Sequence, residues 1–278
     1  MKKNRLLKAA LVHGGIILFL IINLFPLIIA ASSSFRSPEN LTSPLNLFNE
    51  FTFKSYIGAF ERMNYLSAFF NSVILTVVSV VLVVILTSMA AYPMARIKGS
   101  LSRFLYLFFL SGLIVPGQMA IIPVVQMIRG LHIPSTQFTP ILMFVTSSIP
   151  FSSFLYTGFI RSSVPEEVEE AALIDGAGLS RRFWTIVFPL LIPATVSVII
   201  TQGIWIWNDY FYNLVFITKS SQTPLPLAML GFMGDKENPT QWNTLFAATI
   251  LSALPLIAAF GALQKYFMSG LAAGAVKG

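Results

Sequence analysis

Six stretches of this chain, at about residues 9–31, 68–92, 104–127, 140–159, 188–207 and 245–263, are strongly apolar and have no Asp, Glu, Lys or Arg near their centres. Each has close to the 20 or so apolar residues that a helix needs to cross a hydrocarbon core roughly 30 Å thick. The rest of the composition agrees: 55% of the 278 residues are hydrophobic and only 10% charged, where soluble domains carry about 25%. The expectation is an all-α integral membrane protein with six transmembrane helices. Pro26, Pro116, Pro123 and Pro193 lie within spans and predict kinks.

The first stretch follows "MKKNRLLKAA" and precedes "AASSS", so it has the outline of a secretory signal with a poor cleavage site. Its apolar run of some 23 residues is longer than a signal core and reads as the first span. Basic residues are retained on the cytoplasmic side, which gives the orientation. Twelve of the 18 Lys and Arg fall in the N-terminus, the second and fourth loops and the C-terminus; the other side holds six, balanced by six acids. Both ends are therefore expected in the cytoplasm, with a long extracytoplasmic loop at about residues 208–244. The net charge of +7 arises on the inner face and suits anionic lipid. It does not indicate nucleic acid, because no basic patch with interleaved aromatics stands in a soluble segment.

The same count isolates one loop. All five acids of the inner face lie in "EEVEEAALIDGAG", residues 166–178. Ser163 and Glu166 have the spacing of a capping box, Pro165 and the acids suit a first turn, and Gly176 and Gly178 suit a stop, so a short helix is expected at about residues 164–175. Ser180 is placed to cap the helix that follows. At about 100° per residue, Val164, Val168, Ala171 and Ala172 share one side and Glu166, Glu170 and Leu173 the other. The small side would press on the protein's own bundle and the acidic side would meet a partner. A solvated linker whose acids serve only as caps fits the pattern equally well.

Further along, "EAALIDGAGLSRRFWTIVFP" resembles the EAA motif of ABC-transporter permease subunits. Glu170, Ala171, Ala172, Gly176, Ile186 and Pro189 stand at the motif's spacing, with Phe188 where the pattern has Leu. "WNDY" at residues 207–210, "PLPLAMLGFMG" in the long outer loop and "QKYFMSGLAAGAVKG" from Gln264 resemble the carbohydrate-importer branch, specifically its maltose-type second permease. That resemblance implies a type I importer permease fold forming a single transmembrane domain over residues 1–278, in a bacterial cytoplasmic membrane. It implies as partners a second homologous permease, two cytoplasmic ATPase subunits that carry ATP and Mg, and an extracytoplasmic sugar-binding protein. It makes the loop helix a coupling element docked on the ATPase through Glu166, Glu167, Glu170, Ala171, Ala172, Asp175 and Gly176. It also brings the outer loop, around Gly231, Phe232, Met233, Gly234, Asp235 and Lys236, to the mouth of the binding protein.

Several features bear on chemistry. No GxxxxGK[ST] loop occurs, so no nucleotide cradle of the usual kind lies in this chain. There is no cysteine, and the two histidines, His13 and His132, stand far apart, so a zinc site is not expected. No nucleophile–base constellation points to an enzyme. In the fifth span Ser197, Thr201, Trp205 and Asn208 recur at helical spacing as a candidate pathway stripe, suited to sugar hydroxyls and to stacking on an aromatic face. The alternative is that Ser197 and Thr201 bond their own backbone and Trp205 belongs to an interfacial belt. Asp209 reads as interfacial, and the competing functional class is a self-contained secondary transporter or channel.

Overall fold

The computed structural model of the chain describes the backbone of residues 2–115, 117–234 and 239–275, and within these the side chains from residue 11 to 262. The described residues form helices and no strand, in the order α1 (Lys2–Ser34), α2 (Lys54–Arg62), α3 (Tyr65–Arg96), α4 (Ser100–Ser111), α5 (Ile121–Gly130), α6 (Phe138–Ser163), α7 (Glu166–Ile174), α8 (Leu179–Arg182), α9 (Phe188–Leu190), α10 (Ile192–Asn208), α11 (Phe211–Phe216), α12 (Leu225–Ala228) and α13 (Trp242–Ala275). Four segments are long and apolar enough to cross a membrane: Leu11–Ser34, Tyr65–Arg96, Phe138–Ser163 and Trp242–Ala262. A fifth is obtained when Leu179–Leu190 and Ile192–Asn208 are taken as one span bent by 73°. The bend falls where Pro189 and Pro193 remove backbone donors, after a π-helical turn at Phe183–Val187.

The expected third span, 104–127, is not one helix. α4 ends at Ser111, and Gly112, Leu113 and Ile114 donate to the carbonyls of Phe109, Leu110 and Ser111, so the last turn tightens before the chain leaves the helix. The backbone resumes as a 3-10 turn at Gly117–Ala120 and then as α5. Glycine permits the break sterically: a Cβ on Gly112 would stand 2.6 Å from Pro150 Cγ, and one on Gly117 would stand 2.7 Å from the Tyr212 hydroxyl. An apolar run conceals such a break because composition alone does not register close approach. Of the prolines expected to kink spans, Pro123 sits harmlessly in the first turn of α5, and Pro116 lies outside the described residues.

By contact the chain divides into two compact units. One comprises residues 67–227 and 256–278. Its centre is α6, which packs against α4, α10 and α11, burying Phe144, Tyr156 and Ile160 with Val83, Val187, Leu191 and Val198. α3 buries Ser72, Leu75, Ser79, Val83, Thr87 and Ala91. This stripe is small and hydroxylated, as expected where helices associate in lipid and gain nothing from merely hiding apolar surface. The expected long loop is structured here: the Asn71 amide donates to the carbonyls of Ser221 and Thr223 at 2.9 and 3.1 Å, and Ser72 Oγ accepts from Leu225 N–H at 2.9 Å.

The other unit comprises residues 1–66 and 228–255. It is organised by Arg36, which is 1% exposed. Its guanidinium donates to the carbonyls of Thr42 (3.2 Å), Ser43 (3.1 Å) and Asn46, gathering the α1–α2 connection around one cation. Phe35, Phe51, Phe53 and Tyr56 pack as an aromatic cluster beside it. The Asn243 amide in the first turn of α13 donates to the carbonyls of Ser37 and Asn40, both at 2.8 Å.

The α4–α6 contact gives a direct test. Gly112→Ala is expected to destabilise the protein by about 1–3 kcal/mol through overpacking against the rigid Pro150 ring, lowering the midpoint of thermal unfolding in detergent. Gly130→Ala, with no atom within 4 Å of the new Cβ, should leave it unchanged or raised.

Candidate functional site

The acid-rich loop forms the nine-residue helix α7, Glu166–Ile174. Its start differs from the expected capping box. α6 runs on through Ser163, whose hydroxyl pairs with Ser162 Oγ at 3.1 Å, and extended Pro165 takes the cap position with no side-chain cap bond. Its end is a complete Schellman motif. Ala177 N–H donates to Ala172 O at 2.9 Å and Gly176 N–H to Leu173 O at 3.0 Å, with Gly176 at φ +78° and Ala177 buried with Ala172. Gly178, not Ser180, caps α8.

The buried face of α7 is rotated from the one expected. Glu169 and Ala172 face inward, next to Val164, while Val168 and Ala171 are exposed. Glu166, Glu167, Glu170 and Asp175 are exposed as well, so Ala172 is the one docking candidate of the helix turned away from solvent. The cause of the rotation is Glu169, which the acidic-face reading had passed over. Its Oε2 accepts from Tyr92 Oη at 2.6 Å and its Oε1 from Arg96 Nε at 2.8 Å, and Oε1 also forms an ion pair with Arg96 Nη2 at 2.7 Å. A guanidinium N–H on a carboxylate oxygen is a charge-assisted bond, of the stronger kind. Arg96 also donates to Val164 O at 2.7 Å and stands 3.7 Å from Glu166. The signal available in the sequence was Arg96 at the end of the second apolar stretch, a cation with no acid in its own loop.

The fifth-span stripe lies partly on a recess. Thr201, Trp205 and Asn208 line an open recess of about 570 Å³ with Gln118 and Asp209; an adjoining recess of about 500 Å³ is lined by Gln118, Trp205, Thr146, Ser147 and Tyr212 among others. Ser197 lines neither. The hydroxyl hydrogens are already used within α10: Ser197 donates to Pro193 O at 3.1 Å, Thr201 to Ser197 O at 2.7 Å, and the Asn208 amide donates to Ile204 O at 2.8 Å. Trp205 stands edge-on to Phe144 and Tyr212, with ring centroids 5.7 and 6.4 Å apart. The walls are thus mostly apolar and aromatic, with scattered hydroxyls and amides and the Asp209 carboxyl. They suit a hydroxylated ligand with apolar faces. Gln118 and Tyr212 were not legible as lining, because they enter through the unforeseen break after α4 and through α11.

In the other unit, the Arg62 guanidinium lies 5.0 Å from the centre of the Phe232 ring, with Nη2 donating to Gly231 O at 3.3 Å and Nη1 to Gln241 Oε1. Phe232 is buried beneath it, Met233 is exposed, and Gly234 N–H donates to Thr240 Oγ1 at 2.9 Å. Of the outer-loop candidates, Gly231, Met233 and Gly234 remain at the surface of this turn; Asp235 and Lys236 lie outside the described residues.

Residues 62–272 match the family described as "Binding-protein-dependent transport system inner membrane component". The chain is 36% identical over 253 residues, 91% of either chain, to the melibiose/raffinose/stachyose import permease protein MelC of Bacillus subtilis. It is 32% identical over the full length of both chains to the probable starch degradation products transport system permease protein AmyC of Thermoanaerobacterium thermosulfurigenes. In fold it is similar to a chain of a bacterial ABC transporter involved in the import of alginate, with a TM-score of 0.81 over 96% of this chain and 98% of the other, at 22% identity.

The glycine stop of α7 can be tested on its own. Gly176→Ala forces a Cβ into the left-handed region and should destabilise the protein by about 1–2 kcal/mol, read as a lower unfolding midpoint or faster proteolysis of the loop. Gly178→Ala, at φ −64° with open space around the new Cβ, should leave both unchanged.

Proposed function

The chain belongs to the binding-protein-dependent transport system inner membrane component family, and on that premise we propose that it is the permease subunit of an ABC importer for a di- or oligosaccharide. Its working assembly contains a second, homologous permease, two cytoplasmic ATPase subunits that bind ATP and Mg, and an extracytoplasmic sugar-binding protein. The chain itself catalyses no reaction. Its place is the cytoplasmic membrane, which it crosses several times.

The observation that carries this reading is α7, a short helix stopped by a glycine turn, holding an acidic face away from a bundle of apolar helices. Such a face suits a groove on a soluble partner. We assign docking to Glu166, Glu167, Glu170, Ala171 and Asp175, with Ala172 and Gly176 shaping the helix from behind. Closure of the ATPase pair on ATP then moves α7 and with it the spans, and hydrolysis resets them. In the full topology, α4 and α5 together make the third of six spans, with both chain ends inside and one permease domain over the whole chain. Alone, the 12 residues of α4 reach about 18 Å, short of the roughly 30 Å hydrocarbon core. Thr201, Trp205 and Asn208 border the sugar's path, while Ser197 serves the helix. Gly231, Met233 and Gly234 offer the outer contact with the binding protein.

The reading is tested by co-purifying the chain with its ATPase. Glu170→Lys should weaken association roughly tenfold or more, and Gly176→Pro should abolish ATP-driven uptake in proteoliposomes. Uptake driven by an ion gradient in vesicles holding this chain alone would identify a secondary transporter instead. Trp205→Ala is expected to raise the substrate concentration for half-maximal uptake by about threefold to tenfold, leaving ATPase association unaltered.

A further inference from the structure

Of the five acids in the loop, Glu169 alone is buried, and it alone is hydrogen-bonded to α3, Glu166 making only an exposed, longer ion pair with Arg96. We propose that Glu169 is a positioning residue for coupling: held by Arg96 and Tyr92, it fastens α7 to the last turn of α3, so that movement of α7 is delivered to α3 directly. This inference rests on the reading of α7 as the helix on which an ATPase acts.

Apolar packing gives α7 little grip of its own. Its inward face offers Ala172 as the other buried side chain, and its remaining ties are the chain at Pro165 and Gly176 and its packing on the segment at residues 179–187. The Glu169 carboxylate supplies the missing connection through two hydrogen bonds, of 2.6 and 2.8 Å, and an ion pair of 2.7 Å, all from two side chains of α3. Arg96 closes the joint by donating to Val164 O at the α6–α7 corner. Arg161, near the end of α6, donates to Met94 O at 2.9 Å and lies 4.9 Å from the centre of the Tyr106 ring. The ends of α3 and α6 therefore meet in a hydrogen-bonded corner, with α7 locked into it by one carboxylate. Tyr92 extends the joint, since its ring packs on Phe183, 5.6 Å between centroids, at the head of the turn that leads into α9 and α10. A displacement of α7 reaches α3 through Arg96 and the start of the fifth span through Tyr92.

The test uses the assembled importer in proteoliposomes with sugar-loaded binding protein. Glu169→Ala should leave ATPase association and basal hydrolysis intact while uptake, and hydrolysis stimulated by the binding protein, fall about tenfold. Glu169→Gln keeps an acceptor for Tyr92 and should fall less. Because the natural chain has no cysteine, the double variant Arg96→Cys/Glu169→Cys can be bridged selectively with a short bifunctional thiol reagent. It should be uncoupled before bridging and regain coupling afterwards, which a role in stability alone would not produce.

Full coupling in Glu169→Ala, or a bridged double variant that assembles and stays uncoupled, would overturn the proposal. So would loss of ATPase association in both Glu169 variants, since Glu169 would then belong to the docking contact. The docking face fails separately, by unaltered association of Glu170→Lys, and that result leaves the fastening of α7 to be judged on the Glu169 variants.

Discussion

Hydrocarbon offers a peptide group no hydrogen-bond partner, and the form of this chain follows from where it accepts that condition and where it escapes it. Along the interiors of α3 and α6 the helix absorbs the backbone donors, and the side chains are free to be small and closely packed. The exceptions are the break between Ser111 and Gly117 and the bend at Leu191. Irregular backbone at membrane depth is tolerated where it is buried in protein or lines a cavity. The first exception meets that rule: Gly112, Gly117 and Gln118 border the recess formed with Ser147, Trp205 and Tyr212. The second leads directly into the helix that supplies Thr201 and Trp205. The first departure from regular helix therefore borders the recess, and the second stands at the start of the helix that lines it.

Two arginines, Arg36 buried and Arg96 largely enclosed, meet the same problem of desolvation in opposite ways. Arg36 is surrounded by neutral carbonyls, each turned inward by the connection it organises, so its charge is spread over a shell of dipoles. A guanidinium with five donors suits this, because one side chain satisfies several carbonyls that an irregular connection would otherwise leave unpaired. Arg96 meets a carboxylate face to face. The carbonyl shell shapes a segment that has no regular structure of its own, whereas the ion pair sets one helix against another.

The sequence announced the helices it needed for lipid and the stop it needed at Gly176, because both depend on local properties: runs of apolar residues in one case, a left-handed backbone in the other. The four segments of membrane length begin and end close to the apolar runs that predict them. Legibility failed where spatial neighbours decide. Gly112 reads as one more small residue in an apolar run until Pro150 is seen against it. Ser163 and Glu166 have the spacing of a capping box, yet α6 claims Ser163 first. Tyr212 and Gln118 reach the recess from elements that no periodicity marks. Glu169 differs from Glu166, Glu167 and Glu170 in nothing that a sequence displays, and its distinction comes wholly from Arg96, 73 residues earlier.

Stability alone does not explain a buried ion pair at that position. Breaking one by removing a partner costs about 3–5 kcal/mol, but replacing both partners with well-packed apolar side chains is often neutral or favourable. An apolar contact at Glu169 would have held α7 to the bundle while leaving its rotation loosely specified, because Ala172 offers a smooth, small surface on which the helix can turn. Two directional hydrogen bonds and an ion pair on a single carboxylate specify that rotation. With Glu169 turned inward, the helical period carries Glu167 to the opposite side and Glu170 to the flank, while Glu166, three residues before Glu169, is exposed because it opens the first turn.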